Sequence, residues 1–383
     1  MSGFGFSEEE DLFRNNIREF CKKELAPTAK KRSKDRRVDM NLLKKLGEIG
    51  ILGMNAPEKY GGVKTSSVMM GIAVEEISRV DTMYAVRPVW GATIGGMLMH
   101  AAPELQEKWF PPLVSGEIMG CACITEPDHG SDATAIECRA VKDGDSYVLN
   151  GEKTSISWGM QSDIAVMYAV TDPSKGYKGV SAFLVPTATP GIHKSAFEDM
   201  GWCSADRASF IFEDCRIPAN HLIGEEGKGF YLAMELISIA RLGLAMEAIG
   251  CAEGALEEAI EYSKQRIAFG RPIAKFQGVA FSLAEHATRL EAARLLAYRA
   301  LYLRDQGKPN MKETAMAKWL CARTAAMAVH DCLLVFGHMG YTSEYSIEQR
   351  LRDVIGNEIG DGMENIMKVI IAREIIGKEF DPI

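Results

Sequence analysis

Between residues 229 and 266 there is no proline, and apolar side chains return every three or four positions. Only a long helix with one buried stripe satisfies that pattern. Such a helix cannot bury its stripe alone, so it demands partners of comparable length. The sequence supplies them, because helical periodicity also covers Gln277–Asp305, Met311–Phe336 and 362–377. Four antiparallel helices of this length predict a bundle over 226–383. The run Gly224-Glu225-Glu226-Gly227-Lys228-Gly229 leads into the first of them. It lacks the spacing of a phosphate loop, and its two carboxylates would repel phosphate.

The rest of the chain divides in two. Residues 1–119 read as a helical domain. Ser7 and Glu10 have the spacing of a capping box, ahead of Phe13, Ile17 and Phe20. Further helices fit 41–51, 67–79 and 84–101, and Pro111-Pro112 is expected to close the region. The basic run 30–37 reads as a solvated helix face or loop. Residues 120–225 read as an antiparallel β domain, with strand-like runs at 146–153, 164–169, 180–185 and 209–213 between Gly, Pro, Asp and Ser. Asn150-Gly151 suits a hairpin turn. The expected fold class is α+β: an N-terminal α-helical domain, a middle antiparallel β-sheet domain and a C-terminal four-helix bundle.

Charge and cysteine usage narrow the function. A net charge of −8 argues against a general nucleic-acid binder, which needs clustered cations. No run of 18 apolar residues occurs, so no membrane span is expected. The first residues lack a basic segment followed by an apolar one, which predicts a cytoplasmic location. The nine cysteines include no C-x-x-C. Cys121 and Cys123, in a strand, would turn both thiols to one face as small buried hydrophobes. No metal-ligand cluster stands out among the seven histidines, and nothing has the form of a nucleophile elbow.

The segment Cys123-Ile124-Thr125-Glu126-Pro127-Asp128-His129-Gly130-Ser131-Asp132 is a strand end entering a loop of hydroxyls and carboxylates. It resembles the first signature of the acyl-CoA dehydrogenases, flavoproteins that desaturate CoA thioesters. Other segments continue the resemblance in order. These are Asn150-Gly151-Glu152-Lys153, Ile156-Ser157-Trp158-Gly159, 230–241, 266–277, Phe336-Gly337-His338-Met339-Gly340-Tyr341, Arg352-Asp353 and Ile371-Ala372-Arg373-Glu374. The likeness covers nearly the whole chain.

The resemblance implies FAD as cofactor, an acyl-CoA substrate, an electron-transfer flavoprotein as acceptor and a homo-oligomer, usually a tetramer. Thr125 and Ser157 fall where the family contacts the flavin ring, with Trp158 beside it. Ser131 falls where the CoA arm passes, and Arg241 where a helix arginine meets the adenine end of CoA, with Ser238 in place of its usual acidic companion. Arg266, Phe269 and Gln277 match positions that reach the FAD of a neighbouring subunit, and Gly337 lies in a motif near it. A guanidinium there suits two-point binding of pyrophosphate.

Desaturation removes a proton from the α carbon and a hydride from the β carbon, and no side chain accepts a hydride. The family's base is a Glu in Glu-Gly-Thr before the last helix. Here the matching triplet is Asp361-Gly362-Met363. The alternative position before the helix arginine is Ala240. Asp361 is therefore the candidate catalytic base, although its shorter side chain withdraws the carboxylate by roughly 1 Å, a displacement that can cost about 10²-fold. The other reading of Asp361 is a helix N-cap. Met363, Leu334 and His338 also depart from the family near FAD. Arg87 and Trp90 lie on the segment that lines the family's acyl pocket. Arg87 reads as a surface arginine, a partner of Asp81, or a receptor for a distal carboxylate. Trp90 would shorten the pocket, which favours a compact or cyclic acyl group (cyclohexane- or cyclohexene-carbonyl) or a short dicarboxylic one. The competing readings are an enoyl-CoA reductase, a 1,4-desaturase, a lyase or a non-catalytic acyl-CoA binder.

Overall fold

The computed structural model of the chain describes residues 5–32 and 34–380. Four principal helices build the N-terminal part: α1 (Glu8–Phe20), α2 (Met40–Glu48), α3 (Ser67–Ser78) and α4 (Pro103–Ser115). The Ser7 hydroxyl accepts from the Glu10 amide while the Glu10 carboxylate accepts from the Ser7 amide, so α1 starts with a reciprocal cap. The expected helix over 84–101 is broken into short turns at Thr82–Ala85, Arg87–Trp90 and Ile94–Leu98. Pro88 lacks the amide that would continue the first turn and restarts the helix instead. Pro111 and Pro112 do not end the region. They lie inside α4, which stops at Gly116 in a left-handed cap. Arg32 corrects the reading of its basic run: it is buried, with Nη2 2.6 Å from the Asp81 carboxylate.

The middle part is one sheet of eight strands: β1 (Gly120–Cys123), β2 (Arg139–Asp143), β3 (Ser146–Ile156), β4 (Ile164–Val170), β5 (Val180–Pro186), β6 (Ile192–Ala196), β7 (Ala208–Pro218) and β8 (Leu222–Ile223). Their order is β6-β7-β3-β2-β4-β5-β8, with β1 on β4. The sheet departs from a wholly antiparallel one at β4, where β1 runs parallel along it and β2 meets it in parallel register. Cys121 and Cys123 are both buried against the same apolar cluster. Asn150-Gly151 is not a hairpin turn. β3 passes straight through it with a bulge against β7, and Gly144-Asp145 makes the turn from β2. Gly151 has φ 132°, and a Cβ there would lie 2.5 Å from Cys138 Sγ. The glycine serves a close strand crossing rather than a reversal.

The last part holds α5 (Gly229–Gln265), α6 (Gln277–Asp305), α7 (Met311–Phe336), α8 (Ile347–Ile359) and α9 (Glu364–Ile375). The first three match their expected spans almost residue for residue, because each is a long run without proline; α5 departs from the expected single buried stripe, since Leu242–Ala252 is buried on every side. The shorter α8 is an addition to the expected bundle. Met311–Tyr341 is apolar enough by length and composition to cross a membrane, and part of it is buried inside the protein. One apolar cluster runs from the N-terminal helices through the bundle to one face of the sheet, and a second covers the other face. Buried charges on α3 lock the N-terminal part to the bundle. Glu75 takes Arg294 Nε at 2.9 Å and the Tyr298 hydroxyl, while Glu76 takes Arg14 and Arg18 at 2.5 and 2.6 Å.

Candidate active site

The loop after β1 is held by a pair of side chains inside its own motif. Glu126 is buried and accepts from Lys153 Nζ at 2.7 Å and from the amides of Glu137 and Cys138 at 2.7 and 3.0 Å. Lys153 is fully buried and also donates to the Ile124 carbonyl at 2.9 Å. Its ammonium helps hold the Glu126 carboxyl below the ordinary carboxylate range against the opposing effect of burial. The Thr125 carbonyl accepts from the Thr154 amide at 2.9 Å, which ties the loop to β3. Thr125 is half-buried and Ser131 exposed. Losing either member of this buried pair would strand a charge, at a cost of about 3–5 kcal/mol.

Beyond β3 the chain turns sharply. Ser155 and Trp158 both take left-handed backbone conformations around the half-buried Ser157. The Trp158 amide donates to the Ala205 carbonyl at 2.5 Å, and the Trp158 carbonyl accepts from the Ser162 amide and hydroxyl, both at 2.9 Å. With its backbone fixed, the indole meets Trp90 edge-on, ring centroids 5.1 Å apart. The Trp158 indole N–H is buried without a hydrogen-bond partner among the described residues.

Arg87 is neither a surface residue nor a partner of Asp81. It is 0% exposed. Its guanidinium carbon lies 4.1 Å from the Trp90 ring centroid and 4.2 Å from that of Trp158. Nε, Nη1 and Nη2 are all buried with no hydrogen-bond partner among the described residues. Asp81 is occupied by Arg32. Burial pushes the Arg87 guanidinium down to about 9, still above neutral, so the group stays a cation at physiological pH. Burying a charge unpaired costs several kcal/mol. Two desolvated ring contacts return about 2 kcal/mol each and leave every N–H unsatisfied.

Asp361 occupies the turn between α8 and α9. Its φ is 52°, and Gly362 follows at 107°. It does not cap α9, whose N-cap is Met363. Two cations hold the turn by its main chain. Arg241 Nε donates to the Asp361 carbonyl at 2.8 Å, and Lys318 Nζ donates to the Gly362 carbonyl at 2.6 Å. Among the described residues, no hydrogen bond to the Asp361 carboxylate is recorded. Burial raises its pKa above the ordinary Asp value, while Arg241 and Lys318 pull it back. Lys318 is itself pushed down to about 8 by burial. A lone lysine in a helical stretch gives no sequence signal, whereas Glu126 and Lys153 lie within the motif segments 123–132 and 150–153.

These pieces adjoin through α5. Arg241 holds the base turn, and two residues on, a Cβ at Gly243 would sit 2.7 Å from Val89 Cγ2. The glycine lets α5 lie directly on the Arg87–Trp90 turn, which in turn carries Trp158. Ala240 is half-buried beside Arg241 and brings no carboxylate.

Arg266, Phe269, Gln277 and Gly337 are not part of this assembly. All four are exposed, and the first three flank or follow the C-terminal end of α5. At 1.5 Å per residue, Arg241 and Arg266 are roughly 37 Å apart along the helix. Phe269 sits at the tip of a small hairpin with φ 49° and is 96% exposed. The Gly337 end of α7 is fastened to α5 by the Tyr262–Phe336 ring stack, centroids 4.4 Å apart.

Residues 7–117, 121–215 and 227–376 match the N-terminal, middle and C-terminal domains of acyl-CoA dehydrogenase. The chain belongs to the acyl-CoA dehydrogenase family. It is 38% identical over 372 residues to the mitochondrial short-chain specific acyl-CoA dehydrogenase of Rattus norvegicus, covering 96% of this chain and 90% of that one. It is 37% identical to the acryloyl-CoA reductase (NADH) of Anaerotignum propionicum, covering 97% and 96%. The butyryl-CoA dehydrogenase structure from Megasphaera elsdenii superposes with a TM-score of 0.91 at 34% identity, covering 97% of this chain and 99% of that one. Membership makes the protein an FAD-dependent oxidoreductase acting on acyl-CoA thioesters. The residues present suit a flavin: an unpartnered indole N–H at Trp158 and half-buried hydroxyls at Thr125 and Ser157 stand together at strand ends.

Proposed function

We propose that this acyl-CoA dehydrogenase desaturates a compact acyl thioester, with Asp361 as the base that takes the α proton. The observation that carries this reading is the divided role of the Asp361 turn. Its carbonyls are held by Arg241 and Lys318, and among the described residues its carboxylate is left without a hydrogen bond. Such a carboxylate has a free lone pair and a raised affinity for a proton, as a general base requires. The one-methylene deficit relative to Glu is met by a substrate seated closer to the turn. Thr125, Ser157 and Trp158 would hold the isoalloxazine ring of FAD, which supplies the hydride acceptor. Ser131 and Arg241 would hold the CoA arm.

The acyl chamber is short in this reading. Trp90, Trp158 and Arg87 occupy it together, which suits a cyclic group such as cyclohexane- or cyclohexene-carbonyl, or a short dicarboxylic one, rather than a long chain. Arg266 lies roughly 37 Å along α5 from the Arg241 that holds the Asp361 turn, which supports a flavin contact made in another copy. Arg266, Phe269, Gln277 and Gly337 would then serve the FAD of a second copy, in a homotetramer. An electron-transfer flavoprotein would take the electrons, and the cytoplasm is the expected location. Likeness to an acryloyl-CoA reductase supports a second reading, in which the same residues return a proton to an enoyl thioester.

The test is a flavin-bleaching screen of the holoprotein with straight, branched, cyclic and dicarboxylic CoA thioesters, with products identified by mass spectrometry. Compact thioesters are expected to bleach the flavin and yield the α,β-unsaturated product. A protein bleached best by long straight chains would overturn the compact chamber, and one bleached by none would overturn the dehydrogenase reading.

A further inference from the structure

We infer that Trp202 is a positioning residue for proton abstraction: the loop it opens fixes the spacing between the base turn and the turn that carries Trp158. The inference rests on the reading of Asp361 as base and says what places that base. An aspartate is one methylene shorter than a glutamate, so its reach depends more on where the backbone carries it. A displacement near 1 Å can cost about 10²-fold in rate. The segment 200–206 limits such displacement. Trp202 has φ 50° and Asp206 φ 42°, at either end of the short turn Cys203–Ala205. The Ala205 amide closes that turn on the Trp202 carbonyl at 2.8 Å. Left-handed conformations of residues other than glycine persist only where the surroundings impose them.

Here the surroundings belong to both sides of the reaction. On the base side, the Trp202 amide donates to Asp353 Oδ1 at 2.7 Å. Asp353 is buried in α8, and its Oδ2 accepts from the Thr82 hydroxyl at 2.6 Å and the Gln349 side chain at 3.2 Å. A Cβ on Gly356 would lie 3.2 Å from three indole atoms of Trp202, and one on Gly360 would lie 4.0 Å from its Cη2. The indole therefore backs the last turns of α8 along the two glycines that lead into Asp361. Leu244 of α5 also meets Gly360, at 3.4 Å from the same Cβ position, so the end of α8 has both α5 and the indole against it. On the flavin side, the Ala205 carbonyl accepts from the Trp158 amide at 2.5 Å and the Asp206 carbonyl from the Met160 amide at 3.4 Å. The Ser204 carbonyl accepts from the Gln161 side chain at 3.4 Å. Residues 202–206 thus join the helix that ends at the base to the turn that carries Trp158. Arg241 and Lys318 hold the Asp361 turn by its carbonyls, and the indole supports the helix that delivers it. A smaller side chain at 202 removes that support and frees the turn to shift relative to Trp158.

Stopped-flow bleaching of the holoprotein tests this, with the thioester that the wild type accepts best in the screen above. Trp202→Leu should lower the limiting bleaching rate about tenfold or more, with thioester affinity and FAD content within about twofold of wild type. Trp202→Phe keeps an aromatic face against Gly356 and should fall between. A double-mutant cycle with Asp361→Glu gives the decisive reading. The longer base should recover about threefold or more of the rate in Trp202→Leu, and no such gain should appear in the wild type. Any backbone cost of Glu at φ 52° is common to both backgrounds and cancels. A rate that falls only in step with FAD content or thioester affinity would mark general loosening and overturn the inference. Additive effects in the cycle, or an undiminished rate in Trp202→Leu, would overturn it too. If that variant does not fold, Gly356→Ala decides, because its Cβ forces the indole to give by a few tenths of an ångström and the same rate loss and coupling are expected. An Asp361→Asn holoprotein that bleaches like wild type would instead bring down the reading of Asp361 as base.

Discussion

Asp361→Asn isolates the chemistry of the proposed base from its place in the fold. The residue sits at φ 52°, where Ala would cost about 1–2 kcal/mol by backbone conformation alone. Asn tolerates that conformation and preserves shape. The contacts that hold the turn run through the Asp361 and Gly362 carbonyls, so the substitution leaves both in place. Removing a general base costs about 10²–10⁴-fold, or roughly 3–5 kcal/mol of transition-state stabilisation. Stability should move the other way. The folded pKa of Asp361 is raised, so the native state holds its proton more tightly than the unfolded chain. Stability from this group is present below the ordinary Asp value and is lost as pH rises through the raised one. At neutral pH the ionised carboxylate therefore carries a penalty that Asn removes. The expected result is a stopped-flow bleaching rate down at least 10²-fold with a melting temperature unchanged or higher. In the wild type, the rate should fall on acidification through a pKa above that of a free Asp. Retained activity, or a melting temperature that drops with the rate, would refute this reasoning and return Asp361 to a structural role.

Two further outcomes follow from the geometry. Glu126→Gln strands the Lys153 ammonium in the core and should lower unfolding free energy by about 3–5 kcal/mol in urea titrations. Because the Glu126 pKa is lowered in the fold, its stabilisation in the wild type should be present above the ordinary Glu range and fade as pH falls through the folded value. Phe269→Asn should leave the melting temperature of the isolated fold unchanged, since the ring is 96% exposed and Asn accepts its left-handed conformation. It should nevertheless reduce assembly in sedimentation velocity and loosen FAD retention; unaltered assembly and retention would remove Phe269 from any contact between copies.

Much of the architecture was legible because long proline-free runs are robust. α5, α6 and α7 lie where those runs place them, and Ser7 caps α1 through the Glu10 partner that its spacing implies. Local signals were less dependable where tertiary contact overrides them. Asn150-Gly151 has the chemistry of a turn, but β7 and Cys138 draw it into a bulge. Pro111-Pro112 has the chemistry of a helix stop, but α4 runs through to Gly116. The segment 84–101 has helical composition, but Pro88 and a close approach of Gly91 to Met54 divide it.

For the candidate site, sequence order alone named Asp361, Arg241, Ser157, Trp158 and Arg87, since motif resemblance carries position. It carried no account of what each group faces. Whether Arg87 is solvated, paired or stranded depends on which acid lies within reach, and Arg32, drawn from a distant turn, takes the Asp81 that Arg87 would need. Lys318 is ordinary in its own helix and becomes a clamp on the Asp361 turn only when α7 packs beneath it. Periodicity and composition determine which segments are helices and which are strands, because those preferences act between near neighbours. Charge states and unmet hydrogen bonds are decided by groups far apart in the chain, because burial and Coulomb interactions follow distance in space.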